Sequence, residues 1–391
     1  MGSVNITLAN NQLGATLQTN DGIAGLVLTG QDDSGGYHLG TPILVTSLAN
    51  LAVQGITEAS NAFAHRQVKE FYDEAGQGAQ LYLMLVPATQ KVSDIADHTN
   101  ADGALKLLTF AQGKVKLLGI MSDDTAVASA TSVPTVVLNS LNEEVYTAIT
   151  KMNVLAASFF GDQKPFRALI GATSYNDSSA GLSNLTAGTT NSRTAVVLGD
   201  TQTGLSSALG LVLGRLSAIP VMRKVSRVRT GAMSNSAAYI GSNRVETIAS
   251  ELSVISEKGF ITWWIYPNVS GYFLSGDDTC SSFSDDYHSL AHGRVIDKAH
   301  LLAYSTFVQE VDDEVPVKAD GTLDSGFCKW LSQQILNQVN NTMTANNEIS
   351  SASCFIDPVQ NILSTNRLNV VLRIVPVGYA TDIEINLGFG S

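Results

Sequence analysis

The sequence predicts a mixed α/β protein: a βα-alternating sheet body, a C-terminal α+β domain, and extended β-strand arms at both ends. Three observations predict it. From Thr41 onward, strand-length apolar runs alternate with stretches of helical period, the pattern of βα units in a largely parallel or mixed sheet. The chain has 391 residues, and at about 150 residues per domain that length predicts two or three domains. Residues 4–8 and 382–387 alternate apolar and polar side chains as half-buried strands do.

Taken in order, Asn10, Asn11 and Gln12 make a turn beyond the first strand, residues 22–30 form the next strand, and 31–36 form a loop. Residues 42–46 read as a buried strand. Ala64, Val68, Phe71, Tyr72 and Ala75 share one helix face that ends at Gly76, and 81–86 is the strand completing a βαβ unit. The alternation continues through strand 115–120, a helix over 143–160, strands 166–170 and 194–198, and a helix over 205–216. Gly210 and Gly214 on that helix are spaced for close approach of another element rather than for a nucleotide. Residues 176–192, rich in Ser, Thr, Gly and Asn, read as a mobile loop. Residues 260–266 form a strand. Ser284, Asp285 and Asp286 then open a helix carrying Val295, Ala299, Leu302 and Ala303. A further helix from about Asp324 carries Phe327, Leu331, Ile335 and Val339, and strands 368–375 and 382–387 close the chain. The implied divisions are an arm at 1–21, a body at 22–258, a C-terminal domain at 259–380 and an arm at 381–391.

Composition narrows the partners. With 23 Lys+Arg against 35 Asp+Glu the net charge is −12, which argues against neutralising nucleic-acid phosphates or coating an anionic membrane. Charged residues make up only 15%, against an average of about 25%, so much of the surface is uncharged and suited to being covered by partners. Cys280, Cys328 and Cys354 have neither an even count nor a Cys-x-x-Cys spacing and read as reduced thiols of a cytosolic protein. No signal peptide is evident and no apolar run reaches the roughly 18 residues of a membrane span, so a soluble chain made without export is expected.

The search for chemistry returns mostly negatives. There is no Gly-x-x-x-x-Gly-Lys-Ser/Thr, no Gly-x-Ser-x-Gly and no His-Glu-x-x-His, so no cofactor or metal is expected. Asp285, Asp286, His288 and His292, with Asp277 and Asp278 nearby, place two histidines at i and i+4, but without a Glu base they read better as helix-end acids and partly exposed histidines. Asp123 with Asp124, and Asp312, Asp313 with Glu314, read as solvated loop acids rather than general acid/base pairs. Arg215, Arg223, Lys224, Arg227 and Arg229 place five cations within fifteen residues without one acid. They point either to a complementary acidic surface or to a solvated basic loop.

Several stretches, in their order, resemble the contractile tail sheath proteins of bacteriophages and related injection machines. Residues 41–47, 65–76 and 81–86 resemble the sheath strand, aromatic-ended helix, glycine turn and hydrophobic strand, although Glu74-Ala75-Gly76 stands where Asn-Gly-Gly is common. Residues 259–264 and 287–298 resemble the Gly-led, Trp-containing strand and Arg-bearing helix, and 368–385 resembles the C-terminal hairpin and arm. The resemblance implies a non-enzymatic subunit that stacks as hexameric rings around a tail tube and contracts to drive the tube through a target envelope. Its partners would be itself, the tail tube, and baseplate and terminator proteins, with assembly in a bacterial host cytoplasm as part of a phage tail or tail-like particle. Val4, Ile6 and Leu8 at one end and Ile383, Ile385 and Leu387 at the other would carry inter-subunit strand exchange. Lys329, together with the Arg215–Arg229 cations, would supply tube or subunit contacts. The alternatives are an α/β enzyme, such as a metal-dependent hydrolase using Asp285, His288 and His292, or another tail or baseplate component.

Overall fold

The computed structural model describes residues 20–33, 35–124, 136–188, 190–381 and 383–385. The chain divides into two compact units after Arg294.

In the first unit, β1 (Ala24–Gly30), β2 (Ile43–Val45), β3 (Leu81–Pro87), β4 (Leu117–Met121), β5 (Arg167–Gly171), β6 (Thr194–Val197) and β7 (Phe260–Ile261) form one sheet in the order β7-β6-β5-β4-β1-β3-β2. The 258/259 border drawn from the sequence falls just before β7. All neighbours are parallel except β2, which runs antiparallel to β3. Strands β1, β3, β4, β5 and β6 are buried almost throughout, which is why they read as unbroken apolar runs rather than alternations. Residues 42–46 were expected to be a buried strand. β2 is instead an edge strand with Leu44 40% exposed, because nothing pairs with its outer side among the described residues.

Helices α1 (Leu48–Val53), α2 (Ala62–Ala75), α3 (Ala104–Ala111), α4 (Glu143–Gly161), α5 (Leu209–Ala218) and α6 (Ala249–Glu257) are the main helices of this unit, with a single turn at Val92–Ile95. Both sheet faces are covered. A Cβ at Gly25 would touch Leu107 of α3, whereas one at Gly119 would touch Leu209 and Leu213 of α5, and these two positions point to opposite faces. Helix α5 lies backbone to backbone on α2: a Cβ at Gly210 would sit 1.9 Å from the Gln67 carbonyl, and one at Gly214 would sit 2.3 Å from the Phe71 carbonyl. The buried Gln67 amide closes the joint, its Oε1 accepting from Gly210 N (2.7 Å) and its Nε2 donating to Ser207 O (2.9 Å).

Four local readings of the sequence need correction. Helix α5 starts at Leu209 rather than 205 because Ser206 and Ser207 turn inward, to Asp200 (2.5 Å) and Met121 (3.3 Å). Residues 260–266 are two strands: β7 joins the main sheet, and Trp263–Trp264 pairs antiparallel with Phe273–Leu274. Helix α7 (Leu290–Phe307) opens at Leu290, not at Ser284, since Asp277 Oδ2 accepts from Ser289 Oγ (2.7 Å) and Ala291 N (3.1 Å) and so caps the helix from a distant loop. Within 176–192 the described residues are tied to the unit at both ends: Lys258 Nζ donates to the carbonyls of Ser179, Ala180 and Leu182 at 2.7–2.9 Å, and Thr190–Asn191 pairs with Cys280–Ser281.

The second unit is built on α8 (Ser325–Val339) and an antiparallel pair, β8 (Ile349–Ile356) and β9 (Val370–Pro376). Asp324 caps α8, accepting from Gly326 N (2.8 Å) and Phe327 N (2.9 Å). Leu323, Cys328, Leu331 and Ile356 are its buried cluster, with Phe307, Phe327, Leu368 and Val370 against them. The strand read at 368–375 is present as β9, and it pairs with β8. Of residues 382–387, Ile383, Glu384 and Ile385 are described, and they carry no strand. Val4, Ile6, Leu8 and Leu387 lie outside the described residues.

Candidate functional site

Open α/β sheets take ligands beyond the carboxyl ends of their strands, where the strand order reverses. Here that point is β1, which lies between β3 and β4. A groove of about 220 Å³ opens there, lined by Thr29, Gly30, Asn61, Phe63, Ala88 and Asp123. The chain itself occupies much of it: Asn61 Oδ1 accepts from Gln31 N (2.7 Å) and its Nδ2 donates to Gln31 O (3.2 Å). Asp124 was expected to be solvated. It is 4% exposed and accepts from Ser122 Oγ (3.1 Å), Asn142 Nδ2 (3.1 Å) and Ser174 Oγ (2.5 Å).

A second buried cluster, not read from the sequence, joins α2 to the loop after β6. Arg66 Nη1 lies 2.5 Å from Asp200 Oδ1 and 3.5 Å from Glu70 Oε1, and Nη2 donates to Ser206 Oγ at 2.7 Å. Thr201 Oγ1 donates to Glu70 Oε1 (2.6 Å), while Glu70 Oε2 is buried without a hydrogen-bond partner. Burial pushes the Glu70 carboxyl up to about 7 against the opposing pull of Arg66. The carboxylates at this edge of the sheet thus hold loops together through donors from the chain itself.

The residues weighed and set aside as a metal site do not share the helix face that their i, i+4 spacing suggested. His288 precedes α7, so it does not share a helix face with His292. Its Nδ1 lies 2.8 Å from the Asp285 carbonyl, and the two rings stand perpendicular at 5.9 Å. Lys224 Nζ lies 3.2 Å from the buried Asp277 Oδ1. Burial raises the Asp278 carboxyl, with Asp277 adding to it, and lowers the His292 imidazole. Among the described residues no three His, Cys, Asp or Glu side chains come together as a ligand set. The three cysteines are free thiols, and burial pushes Cys280 up to about 12.

The five clustered cations separate into two kinds. Arg215 is buried, its Nε 2.5 Å from Glu74 Oε2 and its Nη atoms donating to the carbonyls of Gly231 (3.0 Å) and Ala232 (2.7 Å). Lys224 serves Asp277. Arg227 and Arg229 are exposed and Arg223 is half-buried, with Arg227 adding to the burial that lowers the Arg223 guanidinium. Lys329 is exposed on α8 beside Trp330, itself 48% exposed.

The second unit shows a surface that calls for cover. Phe355 and Val371 face each other across β8 and β9, 61% and 45% exposed, and Val375 lies further along β9. The sheet has only two strands, so each has one edge without a strand partner among the described residues. Ile383 and Ile385 follow it, 75% and 73% exposed. Apolar side chains beside open strand edges mark a surface for protein association rather than for chemistry. No described helix is long and apolar enough to cross a membrane.

No curated protein matches the sequence. Among solved structures, the chain is similar to one from the six-fold symmetrised baseplate of the anti-feeding prophage (AFP), at 14% identity and TM-score 0.63, covering 100% of both chains. It is similar to a chain of the contracted helical sheath of the same particle (12% identity, TM-score 0.62, covering 99% of this chain and 98% of that one). A third likeness is to the contracted sheath complex of an extracellular contractile injection system, PVC, at 12% identity and TM-score 0.56, covering 99% and 97%. The fold is therefore shared with sheath and baseplate chains of contractile injection systems. The N-terminal domain model of DUF2586 matches residues 1–277 and its C-terminal domain model matches 286–390, so the chain belongs to the DUF2586 family.

Proposed function

We propose that the chain is a structural, non-enzymatic subunit of a contractile tail sheath. It polymerises as stacked hexameric rings around a tail tube and contracts to drive that tube through a target envelope. The observation that carries this reading is likeness over the whole length, 99% of this chain against 98% of a contracted-sheath chain, in both units at once. The open-edged β8–β9 pair and the exposed Ile383 and Ile385 support strand exchange between subunits, with Val4, Ile6, Leu8 and Leu387 completing it. A donated strand saturates the backbone groups of a neighbour's edge, which lets subunits rotate and slide while joined. The partners would be further copies, the tube, and baseplate and terminator proteins, with assembly in a bacterial cytoplasm. Lys329 is the proposed tube contact, its single charge on an otherwise amide-rich helix face suiting a contact that must release. The likeness to a baseplate chain supports a second reading, a baseplate-proximal component of the same kind of particle. Negative-stain microscopy of the purified chain with and without its tube protein separates them: sleeves of indefinite length support the sheath, and discrete rings alone support the baseplate component. Monodisperse protein under both conditions would sink both.

A further inference from the structure

A groove of about 580 Å³ lies within the second unit. Its floor is apolar, made by Phe307, Val315, Ile362 and Leu368, and its lips carry Val311 and Leu363, 67% and 68% exposed. Along one side run Glu310, Asp312, Asp313 and Glu314. Asp312 holds φ at +61°, a left-handed turn conformation, and no ion pair to any of the four carboxylates is found among the described residues. Large exposed aliphatic side chains rimmed by one sign of charge define a docking surface for an apolar segment of opposite charge.

In a chain of net charge −12 such a segment is rare, and the first unit exposes one. Residues Val228–Thr230 form a single 3-10 turn on which Arg227 and Arg229 flank Val228, all three exposed, with Arg223 close enough to be repelled by Arg227. The other two cations of that cluster, Arg215 and Lys224, are bound to Glu74 and Asp277. What remains is a basic–aliphatic–basic turn without a carboxylate partner among the described residues.

We propose that the Arg227-Val228-Arg229 turn of one copy docks in the acid-rimmed groove of a second copy, Val228 against the Val311 and Leu363 lips and the guanidiniums on the carboxylates of residues 310–314. Arginine suits the task because its planar fork pairs with carboxylates in two-point contacts. The contact rests on the self-assembling reading above for its setting, and it would be weakened by salt as exposed ion pairs are.

Two measurements on the full-length chain test it. In the first, a fluorescein-labelled peptide of residues 221–232 is titrated with the whole protein and followed by anisotropy. Saturable binding is expected, weakened about tenfold or more in Asp312→Lys/Asp313→Lys and in Leu363→Ser, with circular dichroism unchanged. Equal binding to wild type and variants, or none to wild type, overturns the proposal. In the second, self-association is measured by sedimentation velocity for Arg227→Glu/Arg229→Glu, for Asp312→Lys/Asp313→Lys and for the two mixed. Each alone should lose association about tenfold, and the mixture should recover part of it, because each variant supplies the complement of the other. If the variants associate as wild type does, the contact is wrong while the sheath reading stands. If wild type does not associate at all, the sheath reading fails and the peptide titration still decides the groove.

Discussion

Arg66 Nη1 sits 2.5 Å from Asp200 Oδ1 and 3.5 Å from Glu70 Oε1, which also accepts from Thr201 Oγ1, so one positive charge serves two buried carboxyls. Asp200 takes the short contact and Glu70 keeps a buried oxygen without a partner. Burial raises the Glu70 carboxyl from 4.5 to about 7, which Arg66 and Thr201 only partly offset. A folded-state value raised above the unfolded one means the native chain holds an extra proton between those limits. Stability from this group is full below about pH 4.5 and is lost as pH rises through about 7. The size is on the order of 3 kcal/mol, at 1.36 kcal/mol per pH unit. Glu70→Gln keeps an acceptor for Thr201 and cannot ionise. Its melting temperature should fall less than that of wild type between pH 5 and pH 8, as read by differential scanning fluorimetry, and identical slopes would refute the assignment.

The α2–α5 joint yields a steric prediction. Gly210→Ala and Gly214→Ala each drive a methyl group into a carbonyl, of Gln67 and Phe71 respectively, and neither backbone can retreat without moving a helix. Each should cost about 3 kcal/mol, the upper part of the range for overpacking. Gly161→Ala, at the end of α4 with open space around its Cβ, should change stability by less than about 0.5 kcal/mol. Urea midpoints of the three variants measure this. Equal midpoints would show that the helices separate at no cost.

Cations that look alike in sequence should behave differently when removed. Arg215→Ala leaves the buried Glu74 carboxylate with the Ser234 N–H but no counter-charge and frees the Gly231 and Ala232 carbonyls, and a loss of about 3 kcal/mol is expected from breaking such a pair. Arg229→Ala removes an exposed side chain and should leave the melting temperature within a degree or two. The reverse ranking would mean that the charge cluster acts as one surface.

The βα alternation was legible because central strands buried on both faces show as continuous apolar runs, and the helix at 62–75 because its stripe is regular. Gly210 and Gly214 were legible as a packing motif since only backbone proximity needs that spacing. What escaped was set by distant partners. Helix α7 takes its cap from Asp277, thirteen residues before Leu290, so the local Ser-Asp-Asp signal pointed to the wrong start. Asp124 looked like a loop acid because its donors come from Asn142 and Ser174. Strand β8 escaped for its composition: Ser350, Ser351 and Ser353 dilute the apolar signal, and its pairing with β9 shows only in three dimensions. The Arg66–Asp200 pair joins residues 134 apart, a separation no local pattern encodes.

The last prediction concerns the C-terminal end. Beyond β9 the chain carries Ile383 and Ile385, both about three-quarters exposed and in no strand, with Glu384 between them. Alternation of this kind fits a strand with one apolar face, and an isolated strand pair is marginal in water without further cover. If this segment adds to a neighbour's open edge, backbone pairing supplies much of the affinity and the two isoleucines fix the register. Ile383 and Ile385 add little to the fold of their own chain, being exposed while Leu323, Leu331 and Ile356 form the second unit's buried cluster. Deleting residues 381–391 should therefore leave the circular dichroism spectrum and thermal midpoint near those of wild type while abolishing sleeves in the microscope. Ile383→Asp with Ile385→Asp in the full-length chain should do the same, because charges on the inward face block seating without shortening the arm. Sleeves formed by either variant, or a truncated chain that fails to fold, would remove the C-terminal segment from the assembly mechanism and leave the edges of β8 and β9 to be covered by something else.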